Sequence, residues 1–247
     1  MKYNLFVLLP LIITFFDISL EQKLDLTNHK TPEYSFNTKS WKDLLNVKVE
    51  CPNDGVLKNF VLRKSNTKFW YEFSCYSAVN AGADYGEPII KRLYGTSDTN
   101  IATTYIQSSI KTLNGFSLEC FVDYGLNTFG MYQTGTYLKP ELKRATYCHG
   151  LKTTYTSQLT YYSEGKTCGY NSFDALFDVV VGRTDQEDDV NIGYPLRGFK
   201  YVVDSSNYNY ATVYYAYSYS ILRNMKVVRD EYQKKFESLR KSNSQAN

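Results

Sequence analysis

Residues that carry chemistry are scarce in this 247-residue chain. It holds two histidines, His29 and His149, and five cysteines, Cys51, Cys75, Cys120, Cys148 and Cys168. His149 directly follows Cys148, and no Cys or His lies at a spacing that suits a tetrahedral metal site. No Gly-x-Ser-x-Gly elbow occurs, and no Cys–His pair stands ready as nucleophile and base. Gly115, Gly125 and Gly130 form no phosphate-cradling run. The acidic cluster Asp185, Glu187, Asp188 and Asp189 lacks the spacing and glycine of a calcium loop and reads as a solvated turn. A pI near 8.4 is too mild to point to nucleic acid. These absences argue against an enzyme and call for no cofactor and no metal. There is also no Asn-x-Ser/Thr sequon, so N-glycosylation is not expected.

Aromatics are plentiful instead. Phe, Trp and Tyr make up 16% of the chain, and 24 residues are Tyr. Aromatic side chains favour pleated, half-buried surfaces, so strands are expected throughout. The motif Leu-x-x-Phe recurs at Leu57/Phe60, Leu126/Phe129 and Leu196/Phe199, in steps of 69 and 70 residues. A constant period of this size signals one structural unit used several times. The expected fold is all-β: a pseudo-threefold repeat of β-hairpin units, each about 70 residues long, with a short C-terminal helix. Leu57, Phe60, Leu126, Phe129, Leu196 and Phe199 are its expected repeat core. Hairpins are expected at Val56–Arg63 with Lys68–Cys75 and at Leu196–Val203 with Thr212–Ser220, while the second copy has a longer loop containing Gly135 and Pro140. Further strands are expected over Ala102–Ile110 and Thr153–Tyr162.

Four cysteines follow the same period. Cys51 and Cys120 each lie nine residues before the motif Phe, and Cys75 and Cys148 lie 15 and 19 residues after it. Equal offsets in the third copy fall on Val190 and Ser218, so both cysteines are missing there together. Paired presence and paired absence point to Cys51–Cys75 and Cys120–Cys148, the one of three connectivities that respects the repeat. Each bond closes a loop of roughly 25 to 29 residues, worth about 3 kcal/mol on the chain-entropy model. Cys168 is left over. It reads as a buried free thiol, the alternative being a bond to a second chain that would make a homo-oligomer.

Residues 1–19 have the pattern of a signal peptide: Met1-Lys2, then an apolar run from Leu5 to Phe16 that ends at Asp17. No later run is apolar enough to span a bilayer. A secreted, extracellular chain is therefore expected, and an oxidising compartment fits the disulfides. Residues 20–40 are polar and read as an extended lead, with the three-copy β domain over 41–222. In the tail, 223–247, the apolar residues Met225, Val228, Tyr232, Phe236 and Leu239 draw one helical stripe. From Arg223 to Lys241 seven basic and three acidic residues give +4, against +3 for the whole chain. That helix is expected to pack its stripe on the body; an anionic surface is the other partner its charge suits.

The first copy reads Cys51-Pro52-Asn53-Asp54-Gly55-Val56-Leu57, then Phe60, then Phe69-Trp70-Tyr71-Glu72-Phe73-Ser74-Cys75. About 25 residues here resemble the repeated loop of the dermatopontin family, tyrosine-rich proteins of the extracellular matrix in which an apolar strand leads to a Trp-x-Tyr/Phe-x-Cys strand. Trp70, Phe73 and Cys75 carry the resemblance. It implies a secreted matrix or lectin-like adhesion protein without catalysis, and a disulfide closing the loop.

The expected function is a non-catalytic binding or adhesion module for glycans or extracellular matrix components, with no nucleic acid partner. Several related units let weak sites gain by avidity, and exposed Tyr offers a flat apolar face and a polar tip to a sugar ring. Two alternatives stand beside it: a structural coat component cross-linked through Tyr or Cys168, and a membrane-surface binder acting through the C-terminal helix. Loops are the expected place for the binding residues.

Overall fold

A computed structural model describes residues 26–53, 55–76, 91–94, 109–120, 124–136, 139–150, 155–156, 160–184, 192–204, 209–223 and 232–241. The chain is mostly β-sheet, with one short C-terminal helix. Its first segment runs β1 (Leu26–Lys30), β2 (Tyr34–Ser35), a 3₁₀ turn at Trp41–Leu44, β3 (Lys48–Glu50), β4 (Val56–Lys64) and β5 (Lys68–Tyr76). The second runs β6 (Lys91–Tyr94), a 3₁₀ turn at Ile110–Leu113, β7 (Ser117–Glu119), β8 (Tyr124–Thr136) and β9 (Lys139–Gly150). The third runs β10 (Tyr155–Thr156), β11 (Tyr161–Tyr162), β12 (Lys166–Gly169), a 3₁₀ turn at Asp174–Leu176, β13 (Val180–Gly182), β14 (Ile192–Gly193), β15 (Leu196–Asp204) and β16 (Tyr210–Arg223). Helix α1 follows at 232–241.

Three sheets form, each around one long antiparallel hairpin: β4–β5, β8–β9 and β15–β16. The second strand of each hairpin takes an outer strand from its own segment: β1 on β5, β6 on β9, and β10, β11 and β12 on β16. The first strand takes the short strand of a different segment: β3 pairs with β8, β7 with β15, and β13 with β4. Each hairpin shifts register at the same place, between Leu57 and Asn59, Leu126 and Thr128, and Leu196 and Gly198. A bulge of this kind bends the strand and increases its twist.

The connections into the short strands share their chemistry. Ser40, Ser109 and Ser172 each accept, through the side-chain hydroxyl, the N–H two residues on. This caps the 3₁₀ turn, whose first N–H groups have no partner within the turn. Asn46, Gly115 and Asp178 then adopt positive φ of 67°, 76° and 58°. Their N–H groups donate to carbonyls of a neighbouring hairpin, Met131, Tyr201 and Leu62, at 2.7, 2.9 and 2.8 Å. Asn, Gly and Asp are the residues that tolerate this left-handed backbone.

The core sits where the sheets meet. Leu57, Leu126 and Leu196 are fully buried, as are Phe60, Phe129 and Phe199 to within a few per cent. The three Phe rings touch one another, with centroids 4.6, 4.8 and 5.1 Å apart. Beside them lie Tyr71, Tyr201 and Tyr215, whose hydroxyls burial pushes well above the ordinary tyrosine range. Val49, Leu118 and Val181 on the short strands, opposite Phe129, Phe199 and Phe60, complete the layer.

Several sequence expectations change here. The polar lead is not outside the sheets: β1 and β2 form an edge of the first sheet. Gly135 and Pro140 do not lie in a loop but face each other on the β8–β9 ladder, because that hairpin extends to Thr136↔Lys139. Ile110 opens a 3₁₀ turn rather than ending a strand, since Ser109 caps it there; 102–108 lie outside the described residues. The α1 stripe does not pack on the body: Tyr232, Phe236 and Leu239 are 72, 70 and 55% exposed, while Met225 and Val228 lie outside the described residues. The hairpins already close the core, and the other exposed large apolar residues, Leu26, Tyr162, Val180 and Tyr210, are spread over four strands.

Candidate functional site

Cys51–Cys75 and Cys120–Cys148 are bonded, the pairing that the spacing pointed to. They are compatible with an extracellular protein. Cys75 stands opposite Leu57 and Cys148 opposite Leu126. Tyr219 holds that place on the third hairpin, opposite Leu196. Ser218, one residue short, was the expectation from counting. The count slipped because Phe199 pairs with Tyr217, 18 residues on, whereas Phe129 pairs with Thr146, 17 on. The other place is taken by Arg183, which follows Gly182 on β13 as Cys51 follows Glu50 and Cys120 follows Glu119. Val190 lies outside the described residues. The Arg183 guanidinium sits 3.9 Å from the Tyr194 ring and 5.6 Å from the Tyr219 ring. Tyr219 also donates a 2.9 Å hydrogen bond to Tyr161, and burial together with that bond pushes its hydroxyl up to about 12. A cation–aromatic stack thus stands where the other hairpins have a disulfide.

Cys168 is free and 6% exposed. Burial pushes its thiol up, and a sulfur so placed does not meet a second chain without local opening. His29 lies half-buried on β1, stacked 5.3 Å from Phe73. The acidic cluster at 185–189 lies outside the described residues. Among the described residues, no group of three or more His, Cys, Asp or Glu is placed to hold a metal, and no helix is long and apolar enough to cross a membrane.

The most developed surface feature is a hollow of about 460 Å³ on the outer face of the first sheet. Strand alternation builds it. Along β5, Tyr71, Phe73 and Cys75 turn inward, which leaves Trp70, Glu72 and Ser74 half-buried on the outside. Val61 and Phe73 provide an apolar floor, and Asn28, Asn59, Glu72 and Ser74 provide the polar rim. The rim is pre-set by hydrogen bonds. Ser74 Oγ donates to Asn28 Oδ1 at 2.7 Å, and Asn59 Nδ2 donates to the Arg183 carbonyl at 2.7 Å. Trp70 Nε1 donates to Glu72 Oε1 and Arg63 Nε to Glu72 Oε2, both at 3.0 Å, and Arg63 reaches on to Asp178. The Trp70 bond above all, with Arg63 beside it, holds the Glu72 carboxyl below its usual range. Glu72 is therefore an acceptor of hydrogen bonds rather than a proton donor. Lys30 Nζ lies 4.2 Å above the Trp70 ring and pairs with Glu33.

A smaller hollow of about 70 Å³ occupies the corresponding face of the third sheet. Its Gly198, Lys200, Ala216, Tyr217 and Ser218 hold the ladder positions that Asn59, Val61, Glu72, Phe73 and Ser74 hold in the first sheet. Tyr161 stacks on Tyr217 at 5.9 Å as His29 stacks on Phe73. The sequence reading put binding residues on loops and missed this strand face. The Trp-x-Glu-x-Ser alternation of β5 was a usable signal, but Asn28 and Lys30 come from the lead, where polar residues occupy both faces and no period marks a strand.

Compared with known proteins, the chain matches no family model, no curated protein and no solved structure.

Proposed function

We propose that the chain is a secreted, non-catalytic binding module, made of three related β units about one axis, that recognises glycans or matrix components through the outer face of its first sheet. The observation that carries this reading is the hollow at Asn28, Asn59, Glu72 and Ser74. Amide, hydroxyl and carboxylate groups around an apolar floor match the alternating hydroxyls and C–H faces of a sugar, and few, well-placed polar groups are what fix orientation in a binding site. The engaged, ionised Glu72 favours binding over catalysis.

The threefold part of the proposal is supported by the shared register shifts, the shared serine caps and the three positive-φ donors. The dermatopontin-like reading belongs to the same proposal, since the Cys51–Cys75 loop carries both Trp70 and Glu72. The test is an array of glycans including glycosaminoglycans, probed with the folded protein and with Asn59→Ala and Glu72→Gln. A selective signal that both variants weaken is expected. A blank array, or a signal indifferent to both changes, would set the reading aside.

A further inference from the structure

Helix α1 plays no part in the glycan reading, yet its surface is sharply divided. At 100° per residue, Tyr232, Phe236 and Leu239 fall within a strip about 60° wide. Lys235 and Arg240 lie about 70° to either side of its centre, and Lys234, Glu237 and Lys241 occupy the far side. Tyr232 and Phe236 keep more than two-thirds of their surface in water, at 72 and 70%. Four basic residues against one acidic give the ten residues a net charge of +3. A second copy of the same helix would bring like charge to like, so the charge speaks against self-pairing. The partner it complements is negative and offers an apolar layer beneath the charge.

We propose that α1 is an interfacial helix that lies on a membrane containing anionic lipid. The three apolar side chains enter the boundary between headgroups and acyl chains. Lys235 and Arg240 extend their stems sideways and place their charges at the phosphates. A stripe this short gives weak, reversible attachment in which electrostatics and apolar burial are both needed.

The test is sedimentation of the full chain, with both disulfides formed, on vesicles of phosphatidylcholine with and without phosphatidylserine. Binding is expected only with phosphatidylserine. It should fall steeply as salt rises from about 0.1 to 1 M, where the screening length drops from about 10 to 3 Å. Phe236→Ser should weaken partitioning about tenfold or more through lost apolar burial, and Lys235→Gln with Arg240→Gln should weaken it on the anionic vesicles. Because α1 is exposed, these variants leave the β core intact. Equal binding to neutral vesicles, no binding to either, or binding that survives Phe236→Ser would overturn the proposal. So would a dimer in light scattering that Phe236→Ser dissolves, because the stripe would then be a protein interface.

Discussion

Phe60, Phe129 and Phe199 meet at the centre of the molecule, and each ring rests on the other two. Truncating one leaves a void that the other two hold open. Phe129→Ala should therefore destabilise by about 3–5 kcal/mol, read from urea unfolding; a loss below about 1 kcal/mol would remove Phe129 from the centre of the core. These residues were legible from sequence because a contact made three times writes itself three times at a constant period. Cys168 was legible as the odd cysteine. Its burial and raised thiol predict that the native chain reacts slowly with a thiol reagent, and that one thiol per chain appears on denaturation. Fast reaction in the native state would mean the site opens. Arg183 was not legible: it replaces a cysteine with a residue of unlike size and charge, and only the pairing of β13 with β4 identifies its position.

Among the elements, the first sheet carries the largest network of charges on its outer face. Glu72 is held below its usual range by Trp70 and Arg63, Glu33 by Lys30 and Lys68, and Asp174 by Lys64. A carboxylate depressed in the folded state adds stability above its unfolded pKa, and that stability is lost as pH falls through the folded value. Stability should decline below the ordinary carboxylate range, and Glu72→Gln should flatten part of that slope in unfolding midpoints measured against pH. The change will be small, since the Arg63 and Glu72 side chains are 39 and 44% exposed and water screens them. An identical slope in the variant would assign the acid sensitivity elsewhere. Hairpins β4–β5 and β15–β16 could be read from alternation and turn residues. The edge strands could not, because β1 has exposed residues on both faces and gains its order from pairing with β5.

For the whole molecule, the proposed threefold relation makes a demanding prediction. Arg183 and Tyr219 stand where the other two hairpins have bonded cysteines. Arg183→Cys with Tyr219→Cys should form a third disulfide under the conditions that form the first two. It would close a loop of 36 residues (219 minus 183), stabilising by about 3–4 kcal/mol on the chain-entropy model, less the lost stack. Mass analysis without reductant would detect it, and two persistent free thiols at these positions would break the equivalence.

The pairing of β13 with β4 also has a consequence for synthesis. The first hairpin is made early, but the strand that covers the free edge of β4 comes from Val180–Gly182, more than a hundred residues later. The emerging chain therefore cannot finish its first sheet until its third segment has been made. A product truncated before residue 180 would present β4 as a bare edge, ready to take a strand from another chain.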